Sequence, residues 1–329
     1  MLQQISYESP AKLVGIARMA AQGSLLTEKS RVEYRTLPTR KWLNRCHSDR
    51  VPFHWTINPY RGCEYGCKYC YARFTHEFLE RRDPAAFETE IYAKDWDTLA
   101  FQEELKAVKP GHVIGLGTAT DPYQPAERKF GRTQQVLEAL TALRGASLYV
   151  TTKSDLVSRD TALFAAIAKH NDVRITVSVT TTNRNLARLI EPYAPRPDLR
   201  LKAVAALAQA GVAVGVIASP ILPLITDSEK SLTAVAESAK AAGARSFGGN
   251  LVFLQPAAQR VFFPFLAEKF PRHLARYEKN FQAGAYLKGA YPQRIGALLT
   301  DIRSRVGIGA RDFSPAVDPD GASPQLLLF

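Results

Sequence analysis

The chain has 329 residues, 46% hydrophobic and 22% charged, with 43 Lys and Arg against 31 Asp and Glu and a formal net charge of +12. Those are the proportions of a soluble globular protein, and the length suits an α/β barrel folded as one unit. The longest apolar runs, Val212–Ile217 and Leu251–Leu254, are too short to span a bilayer, which excludes a helical membrane protein. Met1-Leu2-Gln3-Gln4 lacks the basic-then-apolar layout of a secretory signal, so a cytoplasmic location is expected. Four cysteines in so long a chain exclude a disulfide framework.

Residues 1–50 show little periodicity and read as a basic arm, extended or partly helical. From Lys29 to Arg50 it carries seven Lys or Arg against two acids, Glu33 and Asp49, interleaved with Tyr34 and Trp42. That mixture suits contact with nucleic-acid phosphates and stacking on bases, although a solvated surface segment of a basic protein would read the same way. A short β-like run, Phe53–Asn58, follows between Pro52 and Pro59. It opens directly into Asn58-Pro59-Tyr60-Arg61-Gly62-Cys63-Glu64-Tyr65-Gly66-Cys67-Lys68-Tyr69-Cys70-Tyr71-Ala72-Arg73. Three of the four cysteines stand here at C-x3-C-x2-C spacing. Three thiolates on one short loop can hold three corners of a cubane iron–sulfur cluster and leave the fourth iron open to chemistry. On the residues alone, a tetrahedral zinc site completed by Cys46 or His54 is the alternative.

Beyond the loop a helix is expected from about Tyr71, and another over Thr98–Val108, stopped by Pro110-Gly111. A regular alternation then begins. Strands are predicted at His112–Thr118, Ser147–Thr152, Val173–Val179, Val212–Ile217 and Ser246–Phe253. Helices are predicted at Thr133–Leu143, Thr161–Lys169, Asn185–Ile190, Arg200–Ala210 and Glu229–Ala242. Counting Phe53–Asn58, these make six β-then-α units, the pattern of a parallel sheet covered by helices. Six units fit a partial (β/α)6 TIM-type barrel over residues 51–255, and a doubly wound sheet would give the same pattern. Residues 256–313 read as a C-terminal helical extension and 314–329 as a flexible tail.

In parallel α/β folds reactive groups gather where strands end. The second strand ends in Gly117-Thr118-Ala119-Thr120-Asp121-Pro122-Tyr123-Gln124 and the third in Thr151-Thr152-Lys153-Ser154-Asp155. The fourth carries Ser178, and the fifth ends in Ser219-Pro220-Ile221-Leu222-Pro223. Together with Cys63-x3-Cys67-x-Tyr69-Cys70, and with NPYRGCEYGCKYCYAR, TATDPYQPAE, TTKSDLVSRD and ASPILPLITD in order, the chain resembles the radical S-adenosylmethionine (SAM) enzymes. Within them it is similar to the branch related to spore photoproduct lyase, over roughly residues 50–250.

The resemblance implies a [4Fe–4S] cluster on Cys63, Cys67 and Cys70, with SAM chelating the open iron. Tyr69 would lie near the adenine. Where many family members carry a Gly-Gly-Glu run to hold the methionine amine, this chain offers Thr120 and Asp121. Lys153 would pair with the methionine carboxylate and Ser178 would hydrogen-bond it, and charge assistance makes Asp121 and Lys153 the stronger contacts. The implied reaction is reductive cleavage of SAM to methionine and a 5′-deoxyadenosyl radical that abstracts hydrogen from a substrate. A one-electron donor such as flavodoxin or ferredoxin would supply the electron.

One departure stands out. Spore photoproduct lyase returns a hydrogen atom through a cysteine beyond the cluster loop, and no cysteine follows Cys70 here. Tyr123, beside Asp121, is a candidate relay in its place, with packing or hydrogen bonding as the plainer role. At the other end of the chain, Gln325-Leu326-Leu327-Leu328-Phe329 resembles the short peptide by which bacterial polymerases and repair factors bind the DNA sliding clamp. A terminus tucked onto the barrel is the plainer alternative. With the basic arm, the tail turns the reading toward DNA repair or modification. The competing readings are a non-catalytic iron–sulfur or zinc protein that binds nucleic acid, and a radical SAM enzyme acting on a small molecule or a protein.

Overall fold

The computed structural model describes residues 13–29, 31–39, 41–47 and 51–310. Its strands, in chain order, are β1 (Leu25–Lys29), β2 (Val32–Leu37), β3 (Leu43–Arg45), β4 (Trp55–Ile57), β5 (Tyr60–Arg61) and β6 (Glu90–Lys94). They continue with β7 (Val113–Leu116), β8 (Ser147–Thr152), β9 (Asp172–Ser178), β10 (Val214–Ile221), β11 (Ser246–Leu251) and β12 (Gly309–Ala310). Eight of them form one sheet in the order β12-β11-β10-β9-β8-β7-β4-β3. The strands from β4 to β12 run parallel, and β3 joins the edge antiparallel. β3 and β12 are the two edges and do not pair with each other, so this is the expected six-unit partial barrel, left unclosed.

The five strands β7 to β11 lie close to their predicted positions because they are apolar on both faces. Ile114, Val150, Val177, Val216 and Phe247 are all sealed from water between the sheet and its helices. The chain turns back after the strands through side-chain caps. Asn183 Oδ1 accepts from the backbone N–H groups of Asn185 and Leu186 at 3.0 Å, starting the helix Arg184–Ile190. Ser228 does the same at the head of Glu229–Ala241.

Two features differ from the sequence reading. The described part of the basic arm is folded: after a helix at Gly15–Gln22, β1 and β2 form a hairpin, and β2 pairs in parallel with β6. With β5 they make a second, four-stranded sheet, β1-β2-β6-β5, which buries Tyr34 completely. Secondly, the C-terminal helices Pro256–Lys269 and Pro271–Phe281 share one apolar cluster with the cysteine loop. Phe262, Phe265, Leu266, Tyr277 and Phe281 pack together with Cys63, Tyr65, Cys67 and Tyr69. Arg40 and the Gln325–Phe329 tail lie outside the described residues. No helix among the described residues is long and apolar enough to cross a membrane.

Candidate active site

The cysteine loop leaves β5 at Gly62, whose φ of +80° no L side chain adopts comfortably. A Cβ there would stand 2.8 Å from the Glu90 carbonyl oxygen and 2.9 Å from that of Phe87. From this bend the loop is pinned on several sides. Cys63 N–H donates to Phe87 O at 2.8 Å, and Lys68 N–H to Ile190 O at 3.0 Å. The Gly62 carbonyl accepts from Thr120 Oγ1 at 2.6 Å and from Gln124 Nε2 at 2.9 Å. Gln124 Oε1 in turn accepts from Glu64 N–H at 3.0 Å. Thr120, expected beside the amine of a bound cofactor, therefore grips the loop itself.

Cys63 and Cys67 are 8% exposed, and neither they nor Cys70 is in a disulfide. Burial raises the Cys63 thiol well above its ordinary range, and the nearby charges of Asp121, Cys67 and Cys70 raise it further. Burial likewise pushes Cys67 up to about 12. Cys70 is half-buried, and burial raises its thiol too. Thiols raised in this way make a poor resting arrangement for thiolates alone. A cationic metal centre reverses that preference. Among the described residues, no three His, Cys, Asp or Glu side chains converge as they would around one ion. A cubane asks something different, since each thiolate meets a separate iron, and the donor set fits that demand. The alternative fourth ligands for zinc are misplaced. Cys46 N–H donates to His54 O, and His54 N–H to Val113 O, at the strand starts, whereas the loop follows the strand ends.

Arg73 and Arg200 are two of the largest fully buried side chains in the described protein, and they flank this loop. Arg73 donates to Cys67 O at 3.0 Å, to Pro84 O at 2.8 Å and to Glu88 Oε1 at 2.8 Å. Arg200 donates to Ser178 O at 3.0 Å and to Pro195 O at 2.7 Å, and pairs with Glu191. Both members of that second pair have side chains 1% exposed. Glu191 also accepts from Thr180 Oγ1 at 2.6 Å and from the Tyr69 hydroxyl. Burial opposes a charge on Glu191, but Arg200, Lys153 and these hydrogen bonds outweigh it and hold the carboxyl below its usual range. Nothing in the sequence marked Glu191 or Arg200. Their types normally face water, and only the fold shows that they hold the tyrosine between Cys67 and Cys70.

The remaining expected residues gather at the ends of β7, β8 and β9. Asp121 accepts from Tyr123 N–H at 2.9 Å, Thr152 Oγ1 at 2.7 Å and Lys153 N–H at 2.7 Å. Burial raises its pKa against those hydrogen bonds. A carboxylate has about four acceptor sites, so three internal bonds leave roughly one for a ligand. The Lys153 Nζ lies 5.8 Å from the centre of the Tyr69 ring, and its charge favours the ionised forms of both Glu191 and Asp121. Ser178 is buried at the end of β9, its carbonyl held by Arg200. The Tyr123 hydroxyl is committed elsewhere: it donates to buried Asp160 Oδ2 at 3.0 Å, within a group that includes Arg159 and Glu127.

Immediately after Cys70 the chain offers a stack that the sequence reading missed. Tyr71 lies 4.7 Å from Phe253, and Phe253 stacks on Tyr286 at 5.3 Å with planes 10° apart. Tyr71 and Tyr286 remain 38% and 36% exposed. The rings come from the cysteine loop, the segment after β11 and the turn before the last long helix, so no single stretch of sequence announces them.

A family model described as the Radical SAM superfamily matches residues 57–235. An uncharacterized protein of Mycobacterium tuberculosis is 32% identical over 269 residues, 81% of this chain and 78% of that one. An uncharacterized protein of Methanocaldococcus jannaschii is 30% identical over 205 residues, 61% of this chain and 72% of its own. Among solved structures, spore photoproduct lyase complexed with dinucleoside spore photoproduct is similar with a TM-score of 0.63 at 14% identity, over 94% of this chain and 86% of that one. A mutant of that lyase with bound AdoMet and dinucleoside spore photoproduct gives the same TM-score at 15% identity, with the same coverage. Likeness at these identities speaks for the fold.

Proposed function

The chain belongs to the radical SAM superfamily, and from that premise we propose that it abstracts hydrogen from a nucleic-acid substrate at the mouth of the partial barrel. The family uses a [4Fe–4S] cluster and SAM, and its members need a one-electron donor. When bound, the two together supply the electron and the sulfonium whose reductive cleavage releases methionine and a 5′-deoxyadenosyl radical.

The observation that carries the reading is the convergence of three thiols outside any disulfide, two of them buried and one half-buried, with the ammonium of Lys153, whose charge acts on Cys67 and Cys70. In this reading Cys63, Cys67 and Cys70 hold the cluster. Lys153, supported on the face of Tyr69, takes the carboxylate of SAM. Asp121 turns its remaining acceptor site to the amine, and Ser178 hydrogen-bonds the carboxylate. Thr120 fixes the bend at Gly62. Tyr69 lines the adenine side, oriented by Glu191 and Thr180. The apolar cluster of the C-terminal helices walls the loop from water, which would otherwise quench a carbon radical.

Nucleic acid is favoured as substrate by the aromatic group Tyr71–Phe253–Tyr286 beside Cys70, since bases are bound by stacking on side chains of this type. The net charge of +12 favours the same class. The Gln325–Phe329 peptide, which resembles clamp-binding tails, would bring the enzyme to DNA for repair or modification. The test is to offer deuterated single-stranded DNA, duplex DNA and RNA with reductant and SAM. Deuterium recovered in 5′-deoxyadenosine from one of them supports the reading. SAM cleavage with deuterium recovered from none of the three would overturn the choice of substrate.

A further inference from the structure

Resting on the assignment of the cluster to this loop, we propose that the surface formed by Arg31, Lys68, Arg184, Arg188, Arg196 and Tyr193 is the docking face for an acidic one-electron donor. Electron tunnelling falls off exponentially with distance, so a protein donor has to seat where little protein separates it from the cluster. At Gly66, between Cys63 and Cys67, the loop is buried, but under a thin cover. That cover is the carboxylate of Glu88, which is bonded to Arg73, and the ring of Tyr193: a Cβ on Gly66 would stand against Glu88 Oε2 and 2.9 Å from Tyr193 Cδ2. Tyr193 is itself 46% exposed, and its backbone N–H is tied to Tyr65 O at 3.2 Å.

Cations ring this thin spot. The Arg31 guanidinium lies 3.7 Å over the Tyr193 ring. Lys68 stands next in the loop, its N–H bonded to Ile190 O at 3.0 Å. Arg188 donates to Pro192 O, and Arg184 and Arg196 share Asp198 at 3.5 and 3.1 Å. Arg31, Arg184, Arg188 and Arg196 are all exposed. The local acids are already committed: Asp198 to those two arginines, Glu191 to Arg200 and Glu88 to Arg73. A compact basic disc centred on an exposed tyrosine suits the small, electrostatically steered contact of a transient redox complex. A nucleic-acid strand would instead track a longer groove, and the stack beside Cys70 serves that purpose.

Each encounter moves one electron, from the reduced flavin of the donor to the oxidised cluster. The test uses the reconstituted full chain and flavodoxin, an acidic flavoprotein, with dithionite as a reductant too small to need docking. In the variant Arg184→Glu/Arg188→Glu/Arg196→Glu, affinity for oxidised flavodoxin and the rate of cluster reduction by flavodoxin hydroquinone should each fall at least about tenfold at low salt. The difference from wild type should shrink as salt rises. Iron content and dithionite-driven SAM cleavage should match wild type, and the milder Arg→Gln triple variant should fall between the two. Unchanged flavodoxin affinity with normal dithionite turnover overturns the docking face alone. So does loss of single-stranded DNA affinity with flavodoxin reduction intact, which would make the patch a nucleic-acid surface. No dithionite-driven cleavage by wild type overturns the reading of the site, and this inference with it.

Discussion

Arg200 is sealed from water and must be matched charge for charge, which Glu191 does while also holding Tyr69. Replacing Arg200 by Met leaves Glu191 buried and unpaired, so denaturant unfolding should show a loss of about 3–5 kcal/mol. Removing both charges together, as Arg200→Met/Glu191→Leu, should cost clearly less than the sum of the single changes, because no orphan charge remains. Lys153 should behave differently. Glu191 already has Arg200 as its close partner, so Lys153→Ala should leave the fold intact and weaken SAM binding by about 10- to 100-fold, the worth of one charge-assisted hydrogen bond. Equilibrium binding to the reconstituted protein reads this directly. His76 offers a pH test. Burial lowers its pKa from 6.5 to about 4, so the unfolded chain takes up this proton before the folded one does. Its contribution to stability is complete above pH 6.5 and is lost as pH falls toward 4, at up to about 1.4 kcal/mol per pH unit. The difference in unfolding free energy between His76→Phe and wild type should therefore shift with pH across that window and stay flat above it. Of these residues Lys153 was legible in the sequence, because it follows a strand. Glu191, Arg200 and His76 were not, since burial of a polar side chain leaves no periodic mark.

The bend at Gly62 is the element on which the loop turns. Its φ of +80° and the two carbonyl oxygens within 3 Å of a would-be Cβ make Gly62→Ala strained from both causes. A cost of about 1–3 kcal/mol falls on the loop itself, so iron incorporation on reconstitution should drop more than the melting temperature does. Full iron loading in that variant would contradict the role given to the bend. The six barrel strands were readable because parallel strands buried on both faces are continuous apolar runs. The second sheet was not. β6, Glu-Ile-Tyr-Ala-Lys, is flanked by charges, β5 is two residues long, and β2 alternates Glu33 and Arg35 with buried neighbours. Such strands are defined by their partners, and a partner more than fifty residues away cannot be read from local composition.

Across the whole molecule, the cysteine loop leaves the second sheet at β5 and packs into one apolar cluster with the C-terminal helices, while the barrel supplies polar strand ends. The sequence placed the thiols, Asp121, Lys153 and Ser178 at those ends. It could not show that Thr120 and Tyr123 spend their hydroxyls on the protein, because a hydroxyl's partner is fixed only by folding. The account as a whole stands on SAM cleavage at the loop. Anaerobic reconstitution with iron and sulfide, then dithionite and SAM, should yield 5′-deoxyadenosine and methionine in equal amounts, and the same treatment of Cys67→Ala should yield neither. A reconstituted wild-type protein that binds iron yet leaves SAM intact, or a Cys67→Ala variant that cleaves it equally well, would contradict the account.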